Sequence, residues 1–338
     1  MSNLSNLPNL KKVVLKERPK DNPKVEGFDI VEEISRAPND GEVLIEMQAL
    51  EIGAWIRTTL NEEAFHGSTP IGGTIPALGI GRVLISKSDK FKEGDIVNGP
   101  IFAQTHTTMP AEMFAKVENP EIDPFTQIAV LGVTTGLTAY FGIYEVGQVK
   151  KDDVVLVSGA AGGVGALVCQ LAKIKGAKVI GVAGGKEKCD VLIKEIGADA
   201  AIDYKKDNLD EKIKMYASEG IDIFFDNVGG EILDAALDNI RDRARVVICG
   251  AISQYSHHDS VKGPSLYLRL AEKYSRMEGF TVMHFEDRYE EASKELLSLH
   301  QQGKLKIPYH IEDGIENFPL ALQKLFTGGN TGKLMVKA

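Results

Sequence analysis

The chain has 338 residues, 43% hydrophobic and 26% charged, with 48 Asp and Glu against 39 Lys and Arg for a net charge of −9. At roughly 150 residues per domain this length predicts about two domains, and the apolar content is enough to bury a sizeable core, which excludes a disordered chain. The acidic balance with scattered charges argues against a nucleic-acid partner, no apolar run is expected to approach the ~20 residues of a membrane helix, and Met1 to Lys12 is polar without a signal-peptide core, so the expectation is a cytoplasmic protein.

Up to about residue 126 the chain reads as strands. Lys12 to Leu15, Gly41 to Met47, Gly81 to Ser86 and Asp95 to Asn98 are short apolar or alternating runs, separated by turn material such as Ala37-Pro38-Asn39-Asp40-Gly41. An antiparallel, partly closed β domain is the expectation. From Gln127 the period changes. Val154 to Ser158 is an apolar, mostly β-branched run, and apolar positions 164, 167, 168, 171 and 172 then mark one face of a helix that stops at Gly176. Lys178 to Val182 is the next strand and Lys186 to Ile196 the next helix. Ala200 to Ile202, Ile221 to Phe225, Val246 to Cys249 and Phe280 to Val282 continue the strand theme. Short apolar strands alternating with helices predict an α/β fold with a doubly wound parallel sheet over 127–303. The end of the chain, 304–338, with one helix and a strand at Leu334 to Val336, is expected to complete the first domain.

The sharpest motif is Ser158-Gly159-Ala160-Ala161-Gly162-Gly163-Val164-Gly165, between the first parallel strand and its helix. Small residues there let the backbone approach a pyrophosphate seated on the helix N-terminus. Gly162 and Gly165 match the second and third glycines of the dinucleotide fingerprint, and Ala160 replaces the first; a tight turn without a ligand is the bland alternative. An NAD enzyme places Asp or Glu at the end of the second strand to hold the ribose hydroxyl. Here the chain reads Val182-Ala183-Gly184-Gly185-Lys186, with no carboxylate and with Lys178 and Lys186 nearby. A ribose carrying a phosphate, hence NADP(H), is predicted, against two solvated lysines.

Other motifs fail on inspection. Gly328 to Leu334 has Thr327 where a P-loop needs its first Gly, and Leu334 where it needs Ser or Thr. His257-His258-Asp259 reads as a loop rather than a metal site. Cys169, Cys189 and Cys249 are odd in number, widely spaced and not flanked by His, so reduced structural thiols are expected, with no disulfide framework and no zinc site.

Several segments together resemble the medium-chain dehydrogenase/reductase superfamily, in its zinc-free branch of leukotriene B4 dehydrogenase/prostaglandin reductase and plant alkenal double-bond reductases. The carrying residues are Gly136-Leu137-Thr138-Ala139-Tyr140-Phe141-Gly142, the glycine loop, Phe225-Asp226-Asn227-Val228-Gly229-Gly230, Cys249-Gly250-Ala251-Ile252-Ser253-Gln254-Tyr255 and Gly329-Asn330-Thr331-Gly332-Lys333. The resemblance implies a GroES-like catalytic domain (1–126 with 304–338), a Rossmann domain (127–303), NADPH between them and a homodimer. It implies that Ala161, Gly162, Gly163, Val164 and Gly165 hold the pyrophosphate, and that Lys178 and Tyr204 hold the adenosine phosphate and ribose. Asn227, Cys249, Gly250, Ala251, Ile252, Ser253, Tyr255, Phe280, Thr281, Val282 and Asn330 fall on the nicotinamide side. Trp55 stands near the place where related reductases carry a pocket tyrosine. Zinc alcohol dehydrogenases need Cys and His ligands in the first domain, and this chain has no cysteine before Cys169.

Without a metal ligand set to polarise a carbonyl, hydride addition to the β-carbon of an enone or enal is the favoured chemistry, because it needs only a donor to the developing enolate. Tyr255 is the candidate donor, with packing on the nicotinamide as its alternative role. A zinc-free quinone reductase and a non-enzymatic NADPH-binding protein are the rival readings.

Overall fold

β-Branched residues interspersed with turn formers give the first third of the chain its strands: β1 (Asn9–Leu15), β2 (Phe28–Ile34), β3 (Glu42–Glu51), β4 (Leu78–Ser86), β5 (Ile96–Pro100), β6 (His106–Pro110) and β7 (Ala115–Lys116). The computed structural model describes residues 7–63, 66–256 and 260–338. β1 and β2 form an antiparallel hairpin, in register from Asn9 against Ile34 to Leu15 against Phe28. β2 is mostly exposed and carries no apolar alternation, so its sequence gives no strand signal. The chain up to Ile128 forms one unit with His310–Asn330 and Leu334–Ala338. Its core gathers Val43, Ile45, Met47, Val83, Val97 and Phe114 with Phe318, Leu322 and Leu334 from the chain's end.

The second unit comprises Ala129–Tyr309 with Thr331–Lys333. Its sheet holds β8 (Val154–Val157), β9 (Lys178–Ala183), β10 (Ala200–Asp203), β11 (Ile221–Asp226), β12 (Ile240–Ile248) and β13 (Arg276–Gly279), all parallel, in the order β10-β9-β8-β11-β12-β13. Helices follow each of the first strands, among them Gly163–Ile174 and Gly230–Asp238. Alternate residues of the inner strands enter opposite cores. Val155, Val157, Ile223 and Phe225 pack on one face, and Leu156, Ile180, Phe224 and Val246 on the other. At about 1.5–3 kcal/mol for each fully buried aliphatic or Phe side chain, this two-sided burial makes the strands apolar throughout rather than alternating. The last strands, β14 (Tyr309–Asp313) and β15 (Lys333–Lys337), extend the first unit's sheet in the order β14-β15-β3-β4-β5-β7.

Two expectations need correction. Phe280 to Val282 is not a strand: β13 ends at Gly279, opposite Ile248 at the end of β12, and a strand loses its ladder where its partner stops. Phe280 therefore lies just past the C-terminal end of the sheet. The run Pro124–Val146 is also helical, and long and apolar enough by length and composition to cross a membrane. Its most apolar window is 67% buried inside the protein, as a core helix would be.

Candidate active site

Chain connectivity in the second unit places a switch point between β8 and β11. From β8 the chain moves outward through β9 to β10, then returns to the other side of β8 as β11. Open α/β sheets bind ligands beyond the carboxyl ends of their strands at such a point. At the end of β8 the chain turns at Gly159, with φ +56, and enters the helix Gly163–Ile174 through Gly162. The first-turn amides, those of Gly163, Val164 and Gly165, have no carbonyl one turn earlier within the helix to bond. Gly165 is the sterically obligatory glycine of this loop: a Cβ there would sit 2.3 Å from the Gly159 carbonyl oxygen and 2.7 Å from the Ala160 Cα. The Ala161 carbonyl accepts from the Gly332 N–H at 2.7 Å, which seats the segment around Thr331 to Lys333 against the loop.

The next turn, after β9, contains Gly184, over which the Tyr204 ring and the Lys205 stem lie; a Cβ at Gly184 would meet them at 2.8 and 2.9 Å. Lys188, half-buried on the helix Lys186–Val191, is held below the ordinary lysine range by burial and by the charge of Lys205. The charge of Lys205 thus reaches Lys188 beside the end of β9, a strand end that carries no acid. Asp203, at the end of β10, accepts from the Gly185 and Lys205 amides and serves the turn.

This arrangement overturns the assignment of Lys178. It is the first residue of β9, paired in register with Val154 at the start of β8, so it lies at the opposite edge of the sheet from the glycine loop. Its Nζ donates to the Tyr216 carbonyl at 2.6 Å. Lys186 is engaged as well, in an ion pair with Asp190 at 2.6 Å. Sequence reasoning did not single out Lys188 and Lys205. The usable signal was their position after the C-terminal ends of β9 and β10, rather than nearness to the missing acid.

On the other side of the switch point, the turns after β11 and β12 interlock. The Asp226 carbonyl accepts from the amides of Cys249 and Gly250, and the Asn227 and Val228 carbonyls accept from Ile252 and Ser253. The Ser253 hydroxyl also donates to the Val228 carbonyl at 2.6 Å. Tyr255 folds back over this turn, its phenolic oxygen accepting from the Ala251 N–H at 3.2 Å. That contact leaves the hydroxyl proton available to donate. Burial, reinforced by Cys249 and Asp226, pushes the Tyr255 phenol above its ordinary value. Burial likewise pushes the Cys249 thiol up to about 12, so it is a protonated, non-nucleophilic neighbour. Phe280, Thr281 and Val282 follow the end of β13, on the same edge.

Trp55 and Asn330 belong to the first unit. Trp55 opens the helix Trp55–Thr59, its ring lies against Gly53, and its Nε1 is buried without a hydrogen-bond partner among the described residues. His66 lies 5.9 Å away, ring to ring. A cavity of about 690 Å3 in that unit is lined by His66, Thr69 and Thr107, among others, and by none of the residues expected from sequence to hold cofactor or substrate. His257, His258 and Asp259 lie outside the described residues.

The described residues do not suit zinc. Among the described residues no three His, Cys, Asp or Glu side chains converge as a metal-binding group. Cys169 is fully buried and, like Cys249, has its thiol pushed up to about 12 by burial, so neither is poised as a thiolate ligand.

Residues 163–298 match the family described as zinc-binding dehydrogenase, and residues 11–117 the N-terminal domain of oxidoreductase. The prostaglandin reductase 1 of Bos taurus is 37% identical over 88% of this chain and 90% of its own. The NADP(+)-dependent 2-alkenal reductase of Nicotiana tabacum is 34% identical over 96% of both chains. Among solved structures, CurA from Vibrio vulnificus in complex with NADPH superimposes with a TM-score of 0.91 at 31% identity, covering 97% of this chain and 99% of that one. With a glycine loop at the switch point, no zinc ligand set among the described residues and likeness along nearly its whole length, the chain belongs to the medium-chain dehydrogenase/reductase superfamily, in its zinc-free prostaglandin reductase and alkenal reductase branch.

Proposed function

We propose that this protein is an NADPH-dependent reductase of the C=C bond of α,β-unsaturated ketones and aldehydes. The observation that carries the reading is Tyr255, a buried phenol held by the Ala251 N–H with its own proton left to donate, just past the end of β12. NADPH, when bound, supplies the hydride that adds to the β-carbon. The residues present suit that cofactor: the amides of Gly163, Val164 and Gly165 would hold the pyrophosphate, and Lys188 and Lys205 would hold the ribose phosphate. Tyr255 then donates to the substrate oxygen as it gains enolate charge, and a donor aimed at such an oxygen is worth about 3–4 kcal/mol. The prostaglandin and 2-alkenal reductases give the reading its substrate class. The homodimer belongs to it too, with β13, the exposed edge strand of the parallel sheet, left to pair, and so does a reducing cytoplasm that keeps the three thiols free.

The test is loss of NADPH absorbance over a panel of enals, enones and quinones, with product analysis. Saturated aldehydes and ketones are the expected products. Hydroquinones alone would favour the quinone reductase, and no turnover with any acceptor would leave a non-enzymatic NADPH-binding protein.

Cofactor choice gives a separate expectation. Lys188→Ala removes one of the two cations, Lys188 and Lys205, and charge-assisted contacts are worth about 1.5–3 kcal/mol, so the NADPH Michaelis constant should rise roughly tenfold to a hundredfold with NADH little affected. Lys178→Ala should leave both unchanged. The reverse pattern would return the phosphate to Lys178.

A further inference from the structure

Below the turn that carries Asn227 lies a buried polar cluster built on Asp226 and Ser158. Asp226 is 1% exposed and Ser158 0%, at the adjoining ends of β11 and β8. All the contacts converge on one carboxylate oxygen: Asp226 Oδ1 accepts from Ser158 Oγ at 2.7 Å and from the Val228 and Gly229 amides at 2.9 Å each. Ser158 Oγ in turn accepts from the Asn227 amide at 2.8 Å. The Asn227 side chain then closes the circuit, its Nδ2 donating to the Ser158 carbonyl at 2.7 Å.

This last contact fixes the side chain's sense. A backbone carbonyl can only accept, so the group facing it must be the NH2, and Oδ1 faces the other way. Among the described residues no protein donor meets that Oδ1. The chain thus holds a buried carboxylate, at a cost in desolvation, and through Ser158 Oγ it fixes the Asn227 backbone amide at the switch point, from where the side chain reaches the Ser158 carbonyl. A core requirement alone would have been met by an apolar pair.

We propose that Ser158 and Asp226 are positioning residues, which hold the Asn227 amide with Oδ1 outward to accept from the ribose hydroxyl on the nicotinamide half of the cofactor. The inference rests on the NADPH reading above. It assigns the two halves by topology: the phosphate cations Lys188 and Lys205 follow β9 and β10, whereas Asn227 follows β11 on the far side of β8.

Two probes separate a positioning role from a structural one: NADPH, which reaches both halves, and adenosine 2′,5′-bisphosphate, which reaches only the phosphate side. Ser158→Ala should weaken NADPH by about tenfold and leave adenosine 2′,5′-bisphosphate within about twofold of wild type, the span of losing one or two hydrogen bonds. Asn227→Ala should give the same split, and Ser158→Ala added to Asn227→Ala should cost little more, because Ser158 Oγ acts on the cofactor only by placing Asn227. Asp226→Ala should follow the same pattern, and if it unfolds, the Ser158 and Asn227 variants carry the test. Equal loss of both probes, full additivity, or unchanged NADPH affinity in Ser158→Ala would each overturn the proposal. Failure of wild type to bind either probe would overturn the NADPH reading itself.

Discussion

Gly165→Ala is expected to abolish useful NADPH binding while lowering thermal stability. The added Cβ would sit 2.3 Å from the Gly159 carbonyl oxygen, 2.7 Å from the Ala160 Cα and 2.9 Å from the Gly159 carbonyl carbon. Every one of those atoms is backbone, so no side chain can rotate away. Either the helix Gly163–Ile174 moves off β8 or the loop opens, and overpacking of this kind costs about 1–3 kcal/mol. Because the displaced atoms shape the loop proposed to hold the pyrophosphate, affinity for NADPH should fall by about a hundredfold, the equivalent of ~2.7 kcal/mol. Fluorescence titration with NADPH and thermal unfolding read the two effects. Gly162→Ala is the control: Gly162 has φ −87, and its Cβ would meet only the Gly159 oxygen, at 3.2 Å, so the fold should tolerate it. Wild-type affinity and melting temperature in Gly165→Ala would show that the loop is not held as described.

Tyr255→Phe should lower kcat by roughly tenfold to a thousandfold at nearly unchanged NADPH affinity, the range expected when one donor to a developing oxyanion is lost. The residual rate reflects water or another hydroxyl taking over part of the role. Phe also leaves the Ala251 N–H without its acceptor, so the melting temperature should drop slightly. The pH profile provides a second reading. Burial raises the phenol above its ordinary value of 10.0, and the donor form is the protonated one, so wild-type kcat should hold through neutral and mildly alkaline pH. It should decline only above that value, and the alkaline decline should vanish in Tyr255→Phe. Unchanged kcat across several enones, where chemistry limits the rate, would remove Tyr255 from the mechanism.

Local sequence signals determined the elements whose physics is local. The β-branched run at Val154 to Val157 and the 3.6 period from Val164 to Ala172 announce a buried strand and a one-faced helix, because strand and helix each impose their repeat on the residues that compose them. The glycine loop is legible for the same reason, since closeness of backbone to backbone is written in the absence of side chains. β2 is not legible: its exposed residues carry no pattern, and it exists through its ladder with β1. Tertiary structure alone decided which lysine lies at the carboxyl end of β9, beside the glycine loop. Lys178 and Lys188 lie ten positions apart in the sequence, yet only the register of β9 against β8, Lys178 opposite Val154, shows which end of the strand each occupies. The same holds for Ser158 and Asp226, 68 residues apart, which become one hydrogen-bonded unit because parallel pairing of β8 with β11 brings their ends together. Chain order records which residues are present, and burial against partners distant in sequence decides which of them meet.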